Sequence, residues 1–197
     1  MKITLVRHGQ TIENAKKMVM GHNDGKLNKL GIKQAKAVGK YLRHRKFDVI
    51  YSSDLGRVKE TLGYIKEYHP TTPIVYTKKM RERGFGVFEG KKFGEYSWDD
   101  LSGTYTTRRP KGGEFYNYFR DRVRSFIKLL KKKHMNDNIL VVSHSGSIRL
   151  FLGILKKVRG EKITEIPRTD NCGICEVSIT SKKTIIHCIN KISHLKK

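Results

Sequence analysis

Two apolar runs that each stop at a histidine constrain this chain more than any other feature. Ile3-Thr4-Leu5-Val6 leads into Arg7-His8-Gly9, and Leu140-Val141-Val142-Ser143 leads into His144-Ser145-Gly146. A short, nearly continuous apolar run reads as a strand buried on both faces, the kind found in parallel sheets covered by helices. In open sheets of that kind, the residues just beyond the carboxyl ends of the strands line the ligand crevice. Either histidine alone is compatible with packing or a capped loop, but two delivered in the same way point to one shared site.

The intervening segments predict helices and further strands. Residues 28–45 carry Leu30, Ile32, Ala35, Val38, Tyr41 and Leu42 at helical spacing, and residues 47–51 form a short apolar strand. Ser52, Ser53 or Asp54 can then cap a helix running to about Tyr68, ahead of Pro70 and Pro73, and Ile74-Val75-Tyr76 reads as a third strand. Residues 81–113 are rich in Gly, Tyr and Phe, lack sustained periodicity and end at Pro110-Lys111-Gly112-Gly113. They predict a long excursion over one face, and such segments usually carry function or are mobile. A helix from Glu114 to about His134 turns Phe115, Tyr118, Phe119, Val123, Phe126, Ile127 and Leu130 inward, and another runs from Ser147 to about Val158. Segments 174–179 and 184–189, separated by Ser181-Lys182-Lys183, predict a terminal hairpin. The expected fold is α/β: a three-layer, doubly wound, mostly parallel sheet with an antiparallel edge, in one domain spanning residues 1–197.

The formal net charge of +24 gives a positive field that attracts nucleic acids, acidic lipids or phosphorylated metabolites. Most of the excess is Lys scattered along the chain, from Lys16-Lys17 to Lys196-Lys197, whereas a nucleic-acid footprint interleaves Arg and aromatics on one element. Nucleic acid is therefore not the expected partner. No window approaches the length of an apolar membrane span, and a strand follows Lys2 directly, so a cytoplasmic protein without membrane contact is expected, as monomer or homodimer. The odd count of three cysteines, Cys172, Cys175 and Cys188, argues for reduced thiols. Cys172 and Cys175 with His187-Cys188 lack the second close pair that a zinc or redox site uses, so packing is expected, and no metal or cofactor is. His22, His44, His69 and His134 have no partner pattern.

Arg57 sits in the first turn of the helix after the second strand, where its guanidinium can return to the edge that carries His8. Glu82 stands between Arg81 and Arg83 after the third strand. Arg7, His8, Arg57 and His144 together would form a dense cationic pocket with one carboxylate, and an anion would neutralise it. A phosphoryl group fits, because Arg makes two-point contacts to its oxygens and its transfer needs mainly positioning and charge stabilisation.

Arg7-His8-Gly9-Gln10-Thr11 with Asn14 resembles the signature of the histidine phosphatase superfamily, also called phosphoglycerate mutase-like. The likeness continues in order through Gly21, Asp24, Leu27, Gly31 and Gln34-Ala35; through Ser53-Asp54-Leu55 with Arg57 and Thr61; and through Arg81-Glu82-Arg83 with Phe85-Gly86 and Glu89-Gly90. It ends with Pro110 and Gly112-Gly113-Glu114, Val142-Ser143-His144, and Asn190 with His194-Leu195. It covers essentially the whole chain.

The resemblance implies that His8 attacks phosphorus and becomes a transient phosphohistidine, and that Arg7, Arg57 and His144 clamp the phosphoryl oxygens. It further implies that Asn14 donates to the phosphate, that the backbone at Gly21 approaches the substrate, and that Glu82 is the general acid and base, without a metal. Arg81 and Arg83 would lower the Glu82 pKa if close, and bound phosphate would raise it. The chain departs from the family at Gln10 and Ser145, where Glu and Gly are frequent, and Met20 stands where other members place a hydroxyl. The implied activity is a metal-independent phosphomonoesterase for a small phosphorylated metabolite of the sugar phosphate or phosphoglycerate type. Mutase-type phosphoryl transfer is one alternative, and a non-catalytic nucleic-acid or polyanion binder is the other. Lys91, Lys92, Arg108 and Arg109 suggest a substrate with a second anionic group, although a solvated basic loop explains them as well.

Overall fold

The computed structural model describes residues 1–196; Lys197, of the terminal Lys pair, lies outside them. In chain order the elements are β1 (Lys2–Arg7), the short α1 (Ile12–Ala15), α2 (Lys29–Leu42), β2 (Val49–Ser53), α3 (Gly56–Lys66), β3 (Ile74–Thr77), α4 (Tyr116–Lys133), β4 (Asn138–Ser143), α5 (Ser145–Leu155), β5 (Ile174–Ile179) and β6 (Thr184–Lys191). The six strands form one sheet in the order β3-β2-β4-β1-β5-β6. β1, β2, β3 and β4 run parallel, while β5 pairs antiparallel with β1 and β6 antiparallel with β5.

Strand alternation divides the interior into two cores. Ile3, Leu5, Ile139 and Val141 face α4 and α5, where Phe126, Leu130 and Phe151 are buried. Val6, Leu140 and Val142 face α2 and α3 with Ala35, Val38, Leu42, Val58 and Leu62. The runs lack polar alternation because both faces are covered, which is the three-layer α/β arrangement expected. Cys172 lies in one core and Cys175 in the other, so the CxxC pair is split across the sheet. Among the described residues no group of three His, Cys, Asp or Glu side chains is placed to hold a metal ion, and no helix is long and apolar enough to cross a membrane.

Three local expectations require correction. None of Ser52, Ser53 and Asp54 caps α3: β2 continues through Ser53 because Ser52 and Ser53 pair with Tyr76 and Thr77, and the helix starts at Gly56. Its first free N–H, at Gly56, donates to Asp24 Oδ1 at 2.8 Å, so the cap arrives from a distant loop. Phe115 and Tyr118 are 38% and 67% exposed rather than inward, and Tyr116 is buried in their place. Phe115 is the extended residue ahead of α4, and Tyr118 lies about 200° around the helix from Tyr116. Leu30 is 49% exposed, one residue before the buried face of α2 begins at Gly31.

Candidate active site

Register brings the histidines together. Arg7 pairs with Ser143 across β1 and β4, so His8 and His144 leave adjacent strands at the same edge, and their rings meet edge to face at 5.3 Å between centroids. β2 ends beside them and sends α3 back with Arg57 in its first turn. Glycine follows His8 because the loop runs against α2: a Cβ at Gly9 would lie 2.6 Å from the Gly31 carbonyl oxygen. The Gly9 N–H donates to Thr61 Oγ1 at 3.0 Å, which ties this loop to α3.

His8 is 3% exposed. Its Nδ1 lies 2.8 Å from the Gly9 carbonyl, a partner that can only accept, so Nδ1 carries the proton and Nε2 keeps its lone pair. Arg57 Nε donates to that Nε2 at 3.3 Å. Burial, then Arg57 and Arg7, hold the His8 pKa well below the usual imidazole range. His144, fully buried, bonds Ser53 Oγ through Nε2 at 2.8 Å, and its Nδ1 has no partner. Burial, followed by Arg57 and His8, lowers its pKa strongly too. The positive charge of the site is therefore carried by arginines, and both imidazoles are neutral.

Arg57 is held by the loop after α1. It donates to the carbonyls of Gly21 at 2.9 Å, Asp24 at 3.1 Å and Asn23. Burial brings its pKa down to about 10, opposed by Glu82 and Asp24, so it stays charged at neutral pH. Arg7 donates to the Thr169 carbonyl at 2.9 Å and keeps a buried Nε without a partner. Glu82 faces the same cavity, its Oε1 accepting from the Arg83 N–H and its Oε2 from the Gly146 N–H, both at 2.9 Å. Gly146 lies in the first turn of α5, so the carboxylate occupies the positive end of that helix. A Cβ there would lie 2.2 Å from Glu82 Oε1, which explains glycine at this position whatever stands at Ser145.

Arg7, His8, Asn14, Gly21, Arg57 and Glu82 all line one cavity of about 840 Å³. His144 is not in its wall; it backs the His8 ring. Asn14 lines the cavity, but its Oδ1 accepts from Asn171 at 3.2 Å and from the Thr11 N–H, and its Nδ2 rests 3.6 Å from Met20 Sδ. Gly21 contributes its carbonyl to Arg57, and Met20 is a buried part of the wall.

The guanidinium groups flanking Glu82 turn elsewhere. Arg81 makes two 2.6 Å bonds to Asp54, which raises its own pKa and lowers that of Asp54. Arg83 donates to the carbonyls of Glu114 and Arg108. Of the four cations expected to meet a second anion, only Arg108 reaches the cavity, and it pairs with Asp99. Lys91 and Lys92 are exposed outside it, and Arg109 stacks over Phe115 at 3.8 Å.

Several contributing residues escape sequence reasoning. Arg122 donates to the carbonyls of Lys79, Arg81 and Glu82 and makes two bonds to Glu114, pinning the segment that presents Glu82. A charge at helical spacing from the apolar positions Phe119 and Phe126 was its visible signal. Asn171 holds the His8 carbonyl at 3.0 Å. Arg149 and Arg168 line the cavity, and the buried Arg149 Nε has no partner.

The model of the histidine phosphatase superfamily, branch 1, matches residues 3–192. The chain belongs to that family. This histidine phosphatase is 30% identical to the broad-specificity phosphatase YOR283W of Saccharomyces cerevisiae over 99% of this chain and 87% of that protein. It is also 30% identical to the metal-independent phosphoserine phosphatase of Arabidopsis thaliana, over 98% and 83%. Among solved structures, the alpha-ribazole phosphatase of Shigella flexneri superposes with a TM-score of 0.88 at 26% identity, covering 97% of this chain and 96% of that one. A mutant phosphoserine phosphatase of Entamoeba histolytica in complex with phosphoserine superposes with a TM-score of 0.84 at 26% identity, covering 99% of each. The predicted superfamily and its sheet topology are thus both found.

Proposed function

We propose that this histidine phosphatase hydrolyses phosphate monoesters of small metabolites through a phosphohistidine on His8. The observation that carries the reading is the His8 ring, with Nδ1 on the Gly9 carbonyl and a neutral Nε2 at the cavity. That lone pair forms a bond to phosphorus while the bond from phosphorus to the ester oxygen breaks, and protonated Glu82 gives its proton to the departing alkoxide. Arg7 and Arg57 balance charge on the equatorial oxygens, while His144 backs the His8 ring at 5.3 Å between centroids. Ionised Glu82 then takes a proton from water, whose oxygen displaces His8 and releases inorganic phosphate. The net change is ester plus water to alcohol plus phosphate. Asn14 and Gly21 bound the phosphate end of the cavity. Residues 1–197 act as one catalytic domain, in the cytoplasm, where free cysteines persist.

The test is phosphate release from phosphoserine, phosphoglycerates and sugar phosphates, with acid quenching during turnover. Label on position 8, lost in His8→Ala together with turnover, is the expected result. Label on serine, or isomerised product without free phosphate, would refute it.

A further inference from the structure

A second cavity, of about 410 Å³, opens between α4 and the end of α5. Arg120 and Arg124 reach it from one face of α4, and Lys157 and Arg159 from the turn that follows α5, so four cations from two separate stretches of chain line one space. Leu150, Ile154 and Val158 give it an apolar side, and among the described residues no carboxylate lines it. Asp121 is shared by both arginines of α4: its Oδ1 lies 3.4 Å from Arg120 and 3.7 Å from Arg124, and at 56% exposure it neutralises little. Lys157 and Arg159 have no ion-pair partner among the described residues. The turn that carries them closes α5 with two bonds, from the Val158 N–H to the Gly153 carbonyl at 2.9 Å and from the Lys157 N–H to the Ile154 carbonyl at 3.1 Å. Such a turn needs a left-handed residue, usually glycine, and Lys157 takes that place with φ 60°.

This space is not an extension of the catalytic cavity. The two have only Tyr116 and Leu150 in common, 4% and 3% exposed, which stand as a partition between them. Cations scattered over a surface, or placed at a helix C-terminus, need no ligand. Four that converge beside apolar side chains repel one another, and where water is partly displaced their attraction for an anion strengthens. One phosphate group carries about two negative charges, so two such groups match the four cations. We propose that this cavity is a binding site, apart from the catalytic centre, for a small anion bearing two or more phosphate groups. Its volume lies within the range of roughly 300–1,000 Å³ typical of small-molecule sites. The site stands whether or not the catalytic cavity hydrolyses esters.

The probe is inorganic tripolyphosphate, titrated calorimetrically at constant low ionic strength into protein whose catalytic cavity is filled with orthovanadate. One binding event is expected, with orthophosphate weaker by roughly tenfold or more. Arg124→Ser/Arg159→Ser removes two exposed cations from the cavity and should weaken tripolyphosphate binding by roughly tenfold or more. Lys182→Ser/Lys183→Ser removes the same charge from the exposed turn between β5 and β6, and should change binding by less than about twofold. Equal losses in the two variants would assign binding to the general positive field and overturn the site. Absence of binding to the vanadate-filled protein, or binding that Arg124→Ser/Arg159→Ser leaves intact, would overturn it too. A single-stranded oligonucleotide held through Arg124 and Arg159 while tripolyphosphate is ignored would mark a macromolecular partner, and would overturn the small-anion assignment.

Discussion

Acidification from pH 7.5 to 5.0 is expected to destabilise this protein through the two site histidines. In the unfolded chain each imidazole titrates near its ordinary value of about 6.5 and takes up a proton as the pH falls. In the folded chain burial and Arg57 hold His8 and His144 neutral, so their pKa values are depressed and the unfolded state binds more protons. Stability from this source is complete above about pH 6.5 and is lost below it. For a ring that stays neutral throughout, the loss between the two pH values is about 2 kcal/mol, and for both rings about 4 kcal/mol. That is a large share of a total of 5–15 kcal/mol typical of small domains. His69 and His194, also lowered by burial, act in the same direction with smaller weight. Asp54 and Glu176 have lowered pKa values and lose their contributions only as the pH falls through the carboxylate range, below this window. Urea unfolding in phosphate-free buffer at constant ionic strength measures the effect, and His8→Asn should remove about half of it. Unchanged wild-type stability, or the same pH dependence in His8→Asn, would show that the rings accept protons in the folded state and would refute the reasoning.

Gly146→Ala should push Glu82 off its helix N-terminus, since the new Cβ would lie 2.2 Å from Oε1. Turnover of alkyl phosphates is expected to fall on the order of a hundredfold, and that of 4-nitrophenyl phosphate, whose leaving group needs no acid, much less. Arg122→Ala leaves Glu114 without its two-point partner and frees the carbonyls of Arg81 and Glu82, so thermal unfolding should report a loss of about 3–5 kcal/mol. Asp24→Ala removes the hydrogen bond at the start of α3, and denaturant unfolding should show a loss of about 1 kcal/mol, with a raised KM because the same loop holds Arg57. The acid limb of kcat/KM should fall below the usual imidazole range, because His8 is already neutral there.

The chain sequence by itself determined the layer order, the two strand-to-histidine junctions and the identity of the groups that meet there. Apolar runs of strand length and helical spacing are local patterns, and residues such as His8 and Glu82 stand beside them in the chain. Even the excursion was visible as a stretch without periodicity. Only the tertiary structure decided where each charge is spent. Arg81 pairs with Asp54 and not with Glu82, α3 is capped by Asp24 from a distant loop, and Arg122 reaches three carbonyls of another segment. Tertiary packing also decided that both imidazoles are neutral, because a proton's affinity depends on burial and on neighbouring guanidinium groups. Those contacts join residues far apart in the chain, and periodicity carries no record of them.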